Sequence, residues 1–324
     1  MKNIKKLISV IRKKLRIESI VFDNHCKLGD TVFLSSMGRS GSTILSDIIN
    51  YDNSYRILFE PFRSDMVREA KDFVYPLYLR PDNKDPHYLD PARKIILGKV
   101  HSKWIDTENK TVFPKRRLIK DIRTNLYLKW IHNNFPEMKI VLLLRHPCAV
   151  VASWLAADFG DGKRGRDRLL AEDSFVNDMD ARILSEYSKV ESTFERLIFF
   201  WCISYLIPFQ QFKEDEIHLV FYENLITDPI NELEGLFSFL NYDYSEAKAL
   251  DVLTKPSSTT NKDKSHFRKG EVKINGWKNK FSPDEVDRAY EIMSLFGMEA
   301  LFDSETSIPN RKAVTHLFNS NQMY

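Results

Sequence analysis

At 324 residues the chain can form one large domain or two small ones around a buried core, and its 43% hydrophobic and 29% charged content is ordinary for a globular protein. A net charge of only +3 excludes a general affinity for nucleic acid, and the wide spacing of Cys26, Cys148 and Cys202 excludes a disulfide framework or a cysteine-held metal. Sparse cysteines fit a reducing, cytoplasmic compartment, and no run of about 18 apolar residues marks a membrane span.

Residues 1–19 put Ile4, Leu7, Ile8, Ile11 and Leu15 on one helical face, with Lys2, Lys5, Lys6, Arg12, Lys13, Lys14 and Arg16 around them. Two readings fit: a helix in peripheral contact with an anionic membrane surface, or a helix packed on the domain with a solvated basic face. Strand-type runs follow at 31–34, 56–59, 118–120, 139–144 and 217–221. Helical spacing falls at 41–50, 125–134, 147–157, 193–213 and 230–240. Segments 75–94, 158–174 and 254–281 are rich in Pro, Gly, Asp or basic residues and read as irregular. Apolar strands bracketed by helices predict an α/β fold, three layers with a mainly parallel central sheet. Such sheets bind ligands at the carboxyl ends of their strands. With no sharp linker, the expected organisation is an N-terminal basic amphipathic helix over 1–30, one domain over 31–303 and a C-terminal tail over 304–324.

Three elements suit anions. The first is Gly38-Arg39-Ser40-Gly41-Ser42-Thr43, between the first strand and the first helix. Unpaired N–H groups and the helix dipole favour an anion there, small residues let it approach, and Arg39 adds a cationic fork. The Gly-Lys-Ser/Thr ending of a nucleoside-triphosphatase loop is absent. In the second, Arg145 ends a buried-strand pattern, Pro147 opens a helix and Ser153 lies two turns along it. Either Arg145 and Ser153 grip one phosphate, or the Arg caps a loop and the Ser fills a helix–sheet gap. The third is Phe267-Arg268-Lys269-Gly270, followed by Gly276-Trp277-Lys278. It is either an anion wrap or a solvated basic patch, and Trp277 favours a packed element.

Together and in this order, these elements resemble the sulfotransferase family that uses 3′-phosphoadenosine 5′-phosphosulfate (PAPS), over residues 31–296. Phe221-Tyr222-Glu223-Asn224-Leu225 with Asp228-Pro229 is similar to the family's Tyr-Glu-Asp-Leu strand end. The resemblance implies that Arg39, Ser40, Gly41, Ser42 and Thr43 hold the 5′-phosphosulfate. It implies that Arg145 and Ser153 hold the 3′-phosphate, that Arg268, Lys269 and Gly270 close over it, and that Tyr222 lies near the adenine. Cytosolic small-molecule members have Lys in place of Arg39 and an aromatic residue in place of Ile44. Arg39 and Leu58-Phe59-Glu60-Pro61 instead look like the carbohydrate and protein-tyrosine branches, so a carbohydrate or other hydroxyl compound is the expected acceptor.

Sulfuryl transfer needs cations against charge developing on the bridging oxygen and a base for the acceptor proton. By the resemblance the catalytic set is Arg39, Lys120 and Glu60. His101 and His146 are reserve bases, and no metal is required. Two alternatives remain: a P-loop kinase acting on a small hydroxyl compound, and a non-catalytic nucleotide-binding protein. Residues 62–115 and 158–190, with Phe62, Tyr75, Tyr78, Tyr88, Trp104, Arg63 and Arg80, are expected to shape the acceptor pocket.

Overall fold

Five strands, β1 (Thr31–Ser36), β2 (Tyr55–Phe59), β3 (Arg116–Asp121), β4 (Lys139–Leu144) and β5 (Ile217–Phe221), pair wholly in parallel in the order β2-β3-β1-β4-β5. The computed structural model describes residues 21–23, 25–254 and 274–320. Every residue of β1 and β2 is buried, as expected where both sheet faces are covered. Alternate side chains go to two cores. Phe33, Ile119, Ile140, Leu142 and Leu144 pack with the helices Leu128–Asn134, Pro147–Ala156 and Thr193–Gln211. Val32, Leu34, Leu118, Val141 and Leu143 pack with Ser42–Ile49, Pro229–Leu240 and Glu246–Leu253. The result is the predicted three-layer α/β/α architecture. Among the described residues no helix is long and apolar enough to cross a membrane.

The central strand β1 leads first toward β2, and β4 then pairs on its other side. The order reverses between β1 and β4, and a crevice opens beyond their carboxyl ends. That reversal sets the 37–41 turn beside Arg145.

Two segments expected to be irregular carry helices. Pro86–Ile96 forms because Asp85 accepts the His87 amide at 2.8 Å as N-cap, and Pro86 takes the first helical position. Turn-forming Asp-Pro thus starts a helix that buries Ala92, Ile95 and Ile96. In 158–174, Gly162 adopts φ 74° and opens Lys163–Leu170, and Asp173–Asp178 follows. Leu169 and Phe175 anchor the two helices in the core. The segment expected as a tail carries the helix Arg311–Ser320, with Val314, Leu317 and Phe318 buried. The basic segment 1–19 lies outside the described residues, and Leu28–Asp30 is a single 3-10 turn.

At the amino edge of the sheet a charged knot ties the chain together. Arg56, fully buried, contacts Asp23 at 3.1 Å and Asp106 at 3.0 Å, and donates to the carbonyls of Gly98 and Val100. Removing one partner of a buried pair strands the other charges. Arg56→Ala should therefore destabilise the fold by about 3–5 kcal/mol, read as a lowered urea midpoint.

Candidate active site

The first anion loop owes its shape to two left-handed residues. Gly41 has φ 96° and Arg39, without a glycine's freedom, has φ 69°. Gly41 is required for a second reason: a Cβ there would lie 2.4 Å from the Tyr222 ring. No side chain caps the following helix Ser42–Ile49, so its first-turn amides are open to an anion.

The second element meets the first. Arg145 Nη1 donates to the Arg39 carbonyl at 2.9 Å, and Arg39 Nε donates to Ser153 Oγ at 2.9 Å. The Arg145 guanidinium also lies 4.3 Å over the Tyr222 ring. Arg145 and Ser153 thus brace the loop, and both also line the same cavity. The Ser153 oxygen is used as an acceptor, which leaves its proton to donate, and the Arg145 Nε is buried without a partner. With the uncapped helix turn, these groups fit a ligand carrying phosphates at two ends.

Glu60, immediately after β2, also has positive φ (41°). Its amide donates to the Lys120 carbonyl at 2.7 Å and Trp104 Nε1 donates to its carbonyl. The backbone is thus locked as an extension of the β2–β3 ladder. Its Oε1 accepts from Lys120 Nζ at 3.0 Å and its Oε2 from Arg123 Nη1 at 2.7 Å. Burial alone would push the Glu60 carboxyl up, but Lys120 and Arg123 outweigh it and hold the group below the ordinary range. Glu60 is ionised at neutral pH.

A cavity of about 240 Å³ is lined by Arg39, Gly41, Ser42, Thr43, Glu60, Lys120, Arg145, Ser153 and Tyr222. Ser40 is buried behind the loop instead of lining it. Arg268, Lys269 and Gly270 lie outside the described residues. A larger cavity of about 690 Å³ adjoins, sharing Gly38, Ile122 and Phe159. Its walls are mainly Tyr75, Pro76, Trp154, Phe159, Leu197 and Phe200, with Arg123, Asp161 and Arg164.

From the segments expected to shape an acceptor pocket, Tyr75, Pro76, Phe159, Asp161 and Arg164 line this cavity, but of the aromatic and basic residues named for it only Tyr75 does so. Phe62 is buried against Phe73, Arg80 pairs with Asp178 at 2.7 Å, and Arg63 pairs with Asp65 and covers Trp104. The reserve bases fail as bases. His146 is buried, stacks on Trp277 at 4.3 Å and accepts the Cys148 amide as helix N-cap. Burial, with the Arg145 and Lys278 charges, lowers its pKa to about 3. His101 contacts Arg56 and Asp106, at the start of β2 and not at its end. The sequence reading missed Arg123 and Trp154. Arg123 could have been found from its place three residues after Lys120, in a turn at the ligand-binding edge. Among the described residues no group of three His, Cys, Asp or Glu side chains is placed to share a metal ion.

A turn of small residues with open helix amides and a carboxylate held between two cations, both at the carboxyl edge of a parallel sheet, suit an enzyme of the group-transfer class. A model of the sulfotransferase family matches residues 31–246, and the chain belongs to that family. No curated protein matches it. Among solved structures, mouse sulfotransferase SULT7A1 complexed with PAP is 14% identical, with 84% of each chain covered and a TM-score of 0.45. The sulfotransferase domain of the Synechococcus PCC 7002 olefin synthase is 18% identical, covering 81% of this chain and 93% of that one at a TM-score of 0.40. A sulfotransferase from Alicyclobacillus acidocaldarius is 11% identical, covering 83% and 92% at 0.42.

Beneath Arg145, the fully buried Glu223 accepts the His146 amide on Oε1, while Oε2 has no partner. Burial raises its pKa from 4.5 to about 7, against the opposing pull of the His146 amide and Arg145. A carboxyl raised on folding contributes stability that is fully present below 4.5 and lost as pH rises through about 7. Glu223→Gln stays uncharged, so its melting temperature relative to wild type should climb over that window and then level off. Parallel melting curves across pH would show no such divergence if Glu223 were ordinary.

Proposed function

We propose that this enzyme moves the sulfuryl group of PAPS to the hydroxyl of an acceptor that enters through the aromatic-walled cavity. The observation that carries this reading is the Lys120–Glu60–Arg123 ion triad at the junction of two contiguous cavities. One cavity is cationic and suits the doubly phosphorylated donor; the other is mainly apolar. The donor supplies the transferable sulfuryl group and a phosphate leaving group. The 39–43 turn and the first amides of Ser42–Ile49 hold the phosphosulfate end. Arg145 and the Ser153 proton hold the 3′-phosphate, and Tyr222 borders the base. Lys120, whose Nζ keeps donors beyond its Glu60 bond, and Arg39, which stays protonated, counter the charge on the departing oxygen. Glu60 takes the acceptor proton. Its lowered pKa makes it a weak base but keeps it charged, which suits a proton that leaves late, once the forming S–O bond has acidified the hydroxyl.

The cavity walls support an acceptor with an apolar or aromatic body. Trp154 donates its one N–H to the Gly38 carbonyl at 2.7 Å, and Arg123 is engaged by Glu60. Few hydrogen-bonding groups are thereby left for the several hydroxyls of a sugar. The carbohydrate reading stays as the second one, favoured by Asp161 and Arg164 in the same wall. Labelled PAPS offered to panels of phenols, apolar alcohols and sugars separates the two.

At a hundredfold excess over Kd, adenosine 3′,5′-bisphosphate should raise the melting temperature by about 5 °C, while ATP with magnesium should not. Equal stabilisation by both would overturn the donor assignment in favour of a kinase. Arg145→Ala should weaken bisphosphate binding roughly tenfold to a hundredfold. Glu60→Gln should spare binding and lower turnover by about 10²–10⁴-fold.

A further inference from the structure

Glu60 has two carboxylate oxygens and two cationic partners, and the partners face different cavities. Lys120 lines the donor cavity, and Arg123 lines the acceptor cavity with its side chain still 20% exposed. Each cation takes one oxygen, at 3.0 Å and 2.7 Å. The Arg123 charge on Oε2 offsets part of the carboxylate's charge, so Lys120 is less fully neutralised by its own contact with Oε1.

The arrangement is built into the backbone. Asp121, fully buried, accepts the Phe62 amide on Oδ2 and the Arg123 amide on Oδ1, both at 2.9 Å. One side chain therefore staples the turn after Glu60 to the turn that carries Arg123. Burial raises the Asp121 pKa to about 6, with Arg123 pulling against it and Glu60 adding to it. The charged groups around the Glu60 carboxylate are thus Lys120 and Arg123, with Asp121 behind them.

We propose that Arg123 is a positioning residue: it holds Oε2 of Glu60 on the acceptor side and so leaves Lys120 available to the donor. This rests on the reading of Glu60 as the base. It acts through Glu60 and touches neither leaving group nor transferred atom.

The test is a carboxyl titration followed by carbon-13 NMR on protein labelled at glutamate, with Glu60 assigned by the signal lost in Glu60→Gln. In wild type the Glu60 midpoint should lie below the ordinary carboxylate range. In Arg123→Ala it should move up, and in Arg123→Lys it should return part of the way, because charge is restored without the planar fork. Arg123→Gln keeps a hydrogen bond and loses the charge, and should behave like the alanine variant; it serves if that variant fails to fold. An unchanged midpoint in the uncharged variants would overturn the proposal. Thermal shifts with adenosine 3′,5′-bisphosphate are run on the same samples. Failure of wild type to respond to that ligand sinks the donor reading and leaves the titration result standing, so the two failures are distinguishable.

Discussion

Parallel pairing brings every strand's carboxyl end to one edge of the sheet, and the site depends on how closely those ends are matched. Phe59 pairs with Lys120, Ser35 with Asp121, Ser36 with Leu143 and Leu144 with Phe221. Each strand therefore stops within a residue or two of its neighbours, and the next residues (37–41, 60, 121–123, 145–147 and 222) form one rim. In this register Phe59 is level with Lys120, so it is the left-handed turn at Glu60 (φ 41°), and not strand alternation, that brings its carboxylate to Lys120. The Glu60 amide bonded to the Lys120 carbonyl fixes that register at the point where it matters chemically.

The rim concentrates positive charge, with Arg39, Lys120, Arg123 and Arg145 lining the two cavities. Four cations alone would repel one another as the chain folds. Glu60 answers two of them directly, while the Tyr222 ring and the Arg39 carbonyl receive Arg145. What remains is an excess of cationic groups on the donor side, where a ligand with several negative charges completes the balance. The acceptor side is different in kind. Its walls are mainly aromatic and apolar, so a bound acceptor would displace water from the junction and strengthen the charge interactions there.

Much of this was legible in the sequence because strands buried on both faces leave continuous apolar runs. Residues 139–144 and 217–221 were read to the residue, and Arg145 and Glu60 follow such runs directly. Local rules failed where distant residues decide. Asp85-Pro86 looks like a turn but also reads as a helix start, and the burial of Ala92, Ile95 and Ile96 decides for the helix. Arg80 resembled a ligand-binding cation until its partner Asp178, 98 residues away, removed it from the pocket. His146 carries a catalytic residue's chemistry in a core residue's position, and Trp277, beyond the reach of any local pattern, stacks on it. Arg123 was legible by place alone, in a turn at the carboxyl edge three residues after Lys120; that the two share the Glu60 carboxylate was not.

Two of the residues with left-handed backbone, Arg39 at φ 69° and Glu60 at φ 41°, belong to the proposed catalytic set. Glycine would take either conformation without strain, yet at both places the chemistry needs a long charged side chain. The surroundings supply what the local backbone does not favour. Arg145 and Ser153 hold Arg39 by carbonyl and guanidinium, and Lys120, Arg123 and Trp104 hold Glu60 by carboxylate, amide and carbonyl. The residues that brace the two strained turns are thus largely those that face the ligand. Under the proposed function, a donor phosphate that drew on Arg145 or Ser153 would also act on the loop they brace, and so would couple donor binding to the placement of Arg39.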